Sequence, residues 1–145
     1  MGAQDATSSP VSAHKKRILL ADDEEVVRKT VRLVLGFQGY EVEEAEDGQQ
    51  AVQKFTTAPR PFDLVLLDLD MPRMGGLQAL NEIRAHRADA KVVVLSGMPH
   101  NPAGDDVVFV QKPFDYQHFL RLLREILGEA PPQSATDSAV ASPSS

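Results

Sequence analysis

Apolar residues along the chain come in short uninterrupted runs, separated by segments of helical periodicity. Ile18-Leu19-Leu20-Ala21, Leu64-Val65-Leu66-Leu67, Val92-Val93-Val94-Leu95 and Val107-Val108-Phe109-Val110 carry no polar position. Runs of that length predict short strands, the first of them buried and the second buried on both faces. Glu41-Val42-Glu43-Glu44-Ala45 is polar and partly alternating, which suits an edge strand. After the first run, Val27, Val31, Val34 and Leu35 recur at helical spacing, and the helix is expected to stop within Gly36 to Gly39. Asp47 is placed to cap a helix carrying Ala51, Val52 and Phe55, which Pro59-Arg60-Pro61 ends. Leu77, Leu80 and Ile83 predict a third helix. A last one opens at Asp115 and turns Phe119, Leu122, Leu123 and Ile126 to one side. Strands alternating with helices imply an α/β protein with a mainly parallel sheet, its topology narrowed by right-handed crossovers.

The periodicity also sets the domain boundaries. Residues 1–15 are Ala, Ser, Thr, Gln and Pro with little pattern, and residues 129–145 have the same character behind Pro131-Pro132. Both are expected to be disordered tails. They flank a single folded domain at 16–128, and no internal repeat is visible.

Composition removes several classes of function. The absence of cysteine excludes disulfides, thiolate metal sites and cysteine nucleophiles. A net charge of −6 argues against nonspecific binding to nucleic acid or anionic lipid. No apolar run approaches the roughly 18 residues of a membrane helix, and the N-terminus carries no signal-peptide core. A cytoplasmic protein is expected.

Candidate chemistry collects where the strands end. In open parallel sheets ligands sit at the carboxyl ends of the strands, and here those ends are Asp22-Asp23, Asp68, Ser96 and Lys112-Pro113. Each has an ordinary explanation. Asp22-Asp23 could cap the first helix, Asp68-Leu69-Asp70 could be turn chemistry, Ser96-Gly97 a loop, and Lys112 a surface charge. His14, His86, His100 and His118 are too scattered for a ligand set and are read as surface residues. The functional reading rests on coincidence, because all the polar groups fall at strand ends of one α/β pattern. Three converging carboxylates repel one another unless a cation sits between them, and hard oxygen ligands suit Mg²⁺. A carboxylate nucleophile at Asp68, a divalent ion, the Ser96 hydroxyl and the Lys112 ammonium together make a site for a transferring phosphoryl group.

These segments resemble a known family. Ile18-Leu19-Leu20-Ala21-Asp22-Asp23-Glu24, Leu66-Leu67-Asp68-Leu69-Asp70-Met71-Pro72-Arg73-Met74-Gly75-Gly76, Leu95-Ser96-Gly97 and Lys112-Pro113-Phe114-Asp115 look like the receiver domain of two-component response regulators. The resemblance implies a flavodoxin-like, doubly wound, five-stranded parallel sheet of order 2-1-3-4-5. It implies that Asp68 accepts a phosphoryl group from a phosphohistidine on a sensor histidine kinase or histidine phosphotransfer protein. Asp23, the Asp68 carboxylate and the Asp70 backbone carbonyl would bind Mg²⁺, with Asp22 acting through water. Ser96 and Lys112 would hold phosphoryl oxygens, and Ser96 and Phe109 would form the switch. No separate turnover activity is expected. After residue 128 only a Ser/Ala/Pro tail remains, so the chain reads as a stand-alone receiver acting on an output protein by contact, or as a piece of a longer one.

Two alternatives belong beside this reading. An apolar strand ending in Asp-x-Asp also resembles the nucleophile motif of haloacid-dehalogenase-type phosphatases, with Asp70 as general acid. Those enzymes place the nucleophile strand first, whereas Asp22-Asp23 here precede Asp68. A receiver-like docking module that is never phosphorylated is the other.

One stretch departs from the family. Only Ser96 to Asp106 separates Leu95 from Val107, about six residues fewer than receivers use, and it contains Pro99, Pro102, Gly97 and Gly104. A proline inside a helix costs roughly 3 kcal/mol. The helix that usually joins strands four and five is therefore expected to be missing or vestigial. Its loss would bare apolar surface beside Phe109, which a partner or a second copy would cover. Any homodimer would then use a non-standard face.

Overall fold

The computed structural model describes residues 15–71, 75–99, 101–104 and 106–129. The two expected tails fall outside these residues except for Lys15 and Glu129, as does Pro72 of the turn after Asp68. The elements run β1 (Arg17–Ala21), α1 (Glu25–Phe37), β2 (Glu41–Ala45), α2 (Gly48–Thr57), β3 (Leu64–Asp68), α3 (Gly76–His86), β4 (Val92–Ser96), β5 (Val108–Gln111) and α4 (Tyr116–Leu127). All five strands are parallel, in the order β2-β1-β3-β4-β5.

Every residue of β1, β3 and β4 is buried, as their uninterrupted apolar runs require, whereas the polar β2 lies at an edge. The pleat divides the core in two. Leu19, Ala21, Val65, Leu67, Val92 and Val94 pack with Ala51 and Phe55 of α2 and Ala79, Leu80 and Ile83 of α3. The alternate residues Ile18, Leu20, Leu64, Leu66, Val93 and Leu95 are buried on the opposite face. Right-handed crossovers assign α1 to that second face, because the strand order reverses at β1.

Helix faces differ in detail from the expected stripes. In α1 the buried residues are Arg28, Val31 and Leu35, so a charged side chain sits inside the stripe read as apolar. Leu77 is exposed, and Gly76, Ala79, Leu80 and Ile83 form the inner face of α3. Gly76 is needed there. A Cβ at this position would stand 2.5 Å from the Leu69 Cα and 2.6 Å from the Asp68 carbonyl oxygen. Residues from Pro113 onward form their own compact unit. There Asp115 caps α4 by accepting the Gln117 N–H at 3.0 Å, and Phe114 stacks on Phe119 with ring centroids 4.5 Å apart. Phe119, Leu123 and Leu127 are the buried positions of α4, one turn apart, while Leu122 and Ile126 flank them half-buried.

Among the described residues no helix lies between β4 and β5. Asn101 supplies the hydrogen bonds that a helix would have made internally. Its Nδ2 donates to the carbonyls of Gly104 at 2.7 Å and Val107 at 2.8 Å, and its Oδ1 accepts the Ala103 N–H at 2.9 Å. Gly104 takes a φ of 103°, where a side chain would be strained. Arg84 of α3 pairs with Asp106 at 3.3 Å and ties the loop down. The loop then covers part of the surface expected to be bare. Val107 is buried, and Ala103 and Phe109 pack against the core, which leaves Met98 and Val108 as the exposed large apolar side chains of this region.

Candidate functional site

Strand register brings the polar ends level. Ala21 pairs with Leu67, Asp68 with Leu95, and Ser96 with Gln111, so Asp22, Asp68, Ser96 and Lys112 leave the sheet at one edge. The Lys112 N–H also donates to the Ser96 carbonyl at 2.8 Å.

Asp22, Asp23 and Asp68 each offer a carboxylate oxygen within 4.8 Å of the others; Asp22 and Asp68 are buried and Asp23 is exposed. Asp22 Oδ1 accepts the Glu24 N–H at 2.9 Å, while its Oδ2 is buried without a hydrogen-bond partner. Asp68 Oδ1 accepts the Asp70 N–H at 3.0 Å, and its Oδ2 faces Lys112 Nζ at 3.2 Å. Lys112 Nζ also lies 3.7 Å from Asp22 Oδ2. A buried carboxylate oxygen without a donor, beside two further acids, is what a hard divalent cation would satisfy, so the residues fit Mg²⁺.

Charge crowding shifts the groups. Burial, and then the neighbouring Asp22 charge, push the Asp68 carboxyl up to about 6, against the pull of the Asp70 N–H and Lys112. Burial alone would lower the Lys112 ammonium, but the charges of Asp68, Asp22 and Glu24 and the hydrogen bond to Asp68 together hold it above its usual value. The negative charge of the pocket thus keeps a cation of the chain's own in place.

Three contacts were not read from the sequence. Arg28, buried in α1, donates to the Asp22 carbonyl at 2.9 Å and to Glu44 Oε1 at 2.7 Å, fixing the acidic loop against β2. Burial would raise the Glu44 carboxyl, but hydrogen bonds and charges from Arg28 and Lys29 bring it below its usual value. Asp70 turns its carboxylate to the end of β4, with both oxygens 3.4 Å from Ser96 Oγ and Oδ2 3.3 Å from the Gly97 nitrogen. It is therefore outside the three-acid cluster. Asn101 is the third. The only available signal was a polar residue at a helical core position for Arg28, and the Asp-x-Asp spacing for Asp70. Of the remaining predicted residues, Phe109 is half-buried on β5, and His86 sets its ring edge-on to Phe55 at 5.9 Å. His14 and His100 lie outside the described residues.

The chain is similar to known proteins in sequence and in fold. Residues 18–124 match the family model for the response regulator receiver domain. The response regulator MprA of Mycobacterium tuberculosis (strain H37Rv) is 34% identical over 128 residues, covering 84% of this chain and 55% of that protein. The chain thus spans just over half the length of such curated relatives. A CheY-like receiver domain protein from Methanospirillum hungatei aligns with a TM-score of 0.71 and 28% identity, over 79% of this chain and 94% of that one. Response regulator TrrA of Thermotoga maritima, solved in complex with Mg(2+)-BeF, aligns with a TM-score of 0.69 and 34% identity, over 77% and 98%.

Proposed function

We propose, from the premise that this chain belongs to the receiver domain family of two-component response regulators, that Asp68 is its phosphoacceptor. The observation that carries this reading is the buried Asp68 carboxylate, 3.2 Å from Lys112 and grouped with Asp22 and Asp23 at the strand ends. The donor is a phosphohistidine on a sensor histidine kinase or a histidine phosphotransfer protein. An Asp68 oxygen forms the new P–O bond as the P–N bond to the imidazole breaks, and Lys112 offsets the charge on the phosphoryl oxygens. Asp23, Asp68 and the Asp70 carbonyl would hold Mg²⁺, with Asp22 acting through water, and the ion would supply further electrostatic stabilisation of those oxygens.

The receiver domain is assigned to residues 16–128 and signals by protein contact through Ser96 and Phe109. The apolar residues Met98 and Val108, each at least two-fifths exposed, mark the side where an output partner or a second copy docks. Among the described residues no helix is long and apolar enough to cross a membrane.

The test is incubation of the full chain with a small phosphodonor, with and without Mg²⁺, followed by intact and peptide mass spectrometry. One phosphoryl group on Asp68, dependent on Mg²⁺ and absent from Asp68→Asn, is expected. A label of normal intensity on that variant overturns the assignment, and steady turnover of an aryl phosphate would instead support the phosphatase alternative.

A further inference from the structure

The end of β4 offers two donors to an incoming anion, the Ser96 hydroxyl and the Gly97 N–H. Both are already engaged by an anion of the chain itself. Each Asp70 carboxylate oxygen lies 3.4 Å from Ser96 Oγ, and Oδ2 lies 3.3 Å from the Gly97 nitrogen. The Ser96 hydroxyl has a single proton to give, and its oxygen accepts the Met98 N–H at 3.1 Å. While Asp70 holds that proton, no second acceptor can take it.

The geometry points to Asp70 as an internal competitor, a positioning residue whose carboxylate occupies the donors at the end of β4 until a phosphoryl group on Asp68 displaces it. This inference rests on the receiver reading of the site. Three features make the contact displaceable. Distances of 3.3 to 3.4 Å are at the long end for hydrogen bonds, so each is weak. Asp70 is exposed, so water receives its carboxylate on release. The arriving group carries a charge of about −1.5 to −2 and repels a carboxylate two residues away. The Asp70 N–H is bonded to Asp68 Oδ1 at 3.0 Å, so the competitor's own backbone is tied to the atom set that reacts. Phosphorylation and release of Ser96 are thereby coupled through one residue. A side chain without an acceptor at this position would leave both donors free before any phosphoryl group arrives.

The experiment uses the full chain with Mg²⁺ and beryllofluoride, a phosphoryl analogue, followed by amide NMR. In Asp70→Ala the Gly97 amide of the free protein should move toward the position it takes in the bound wild type. The analogue should also bind about three- to tenfold tighter, the worth of one to two hydrogen bonds released from competition. Asp70→Asn retains an acceptor oxygen without the charge and should fall between the two. Unchanged or weaker binding by folded Asp70→Ala overturns the inference. So does tighter binding with the free Gly97 amide unmoved, because that is the signature of charge removal alone. If wild type fails to bind beryllofluoride at Asp68, the receiver reading falls, and the competitor with it. Wild-type binding with an unresponsive Asp70→Ala removes only the competitor.

Discussion

Replacing Asp68 by Asn should make the metal-free protein more stable at neutral pH, although it removes the proposed acceptor. The Asp68 carboxyl is 1% exposed and titrates at about 6 instead of the usual 3.8, because of burial and the Asp22 charge beside it. A folded-state value above the unfolded one means that folding favours the protonated acid. The stability contributed by this group is fully present below about pH 3.8 and is lost as pH rises through about 6. At 1.36 kcal/mol per unit, the gap corresponds to about 3 kcal/mol withdrawn from the native state at neutral pH. Asn does not ionise, has nearly the same volume, and can still accept the Asp70 N–H. The pull of Lys112 is already contained in the value of about 6, but the Asn amide must bury an N–H donor where a carboxylate oxygen faced Lys112 Nζ at 3.2 Å, and an unpaired buried donor takes back part of the gain. A net stabilisation of about 1 to 2 kcal/mol is therefore expected in chelator at about pH 7.5. With a urea slope of about 2 kcal/mol per molar, that moves the denaturation midpoint by roughly half to one molar. Near pH 4.5 most of the difference should close, because wild-type Asp68 then folds protonated. Millimolar Mg²⁺ should narrow it from the other side by stabilising only the protein that binds it. Equal or lower stability of Asp68→Asn in chelator at neutral pH would refute the reasoning, as would a difference that does not shrink in acid.

Three further outcomes follow from other contacts. Gly76→Ala places a Cβ 2.5 Å from backbone at the end of β3 and should destabilise by about 1–3 kcal/mol while slowing labelling of Asp68; urea midpoints and phosphodonor kinetics read both, and a neutral effect means that α3 can shift freely. Arg28→Ala leaves the half-buried Glu44 with Lys29 and Arg32 alone and frees the Asp22 carbonyl. A loss of about 3 kcal/mol is expected by denaturation, with weaker Mg²⁺ binding by titration, and wild-type stability would show that the loop is held by something else. Asn101→Ala should cost about 1–2 kcal/mol and speed amide exchange at Ala103, with Asp68 labelling unchanged; slow exchange in the variant would remove Asn101 as the clip of the β4–β5 loop.

Local physical chemistry in the sequence sufficed for the strands and for the acids at their ends, whereas the sheet order was implied by the family resemblance. Three of the apolar runs are strands buried on both faces, and Asp68 ends one of them, so its burial followed from its neighbours in the chain; the fourth run forms β5, which is partly exposed because it lies at the sheet edge. The short proline- and glycine-bearing connection after Ser96 argued against a full helix for a similarly local reason, the loss of backbone donors. What the sequence could not decide is where long polar side chains turn. Arg28 sits at a helical core position, and only the packing of α1 beside β2 shows that Glu44 and the Asp22 carbonyl receive it. Asp70 was legible as an acid two residues from Asp68. Its choice between the three-acid cluster and Ser96 depends on the Asp68–Leu95 register of β3 and β4, a pairing between segments nearly thirty residues apart. Asn101 was one polar residue among eleven, and its role exists only because the chain folds its own carbonyls back onto it. Hydrophobic pattern is a one-dimensional record of burial and survives in the sequence; the partners of a polar group are set by three-dimensional distance, which only the tertiary structure supplies.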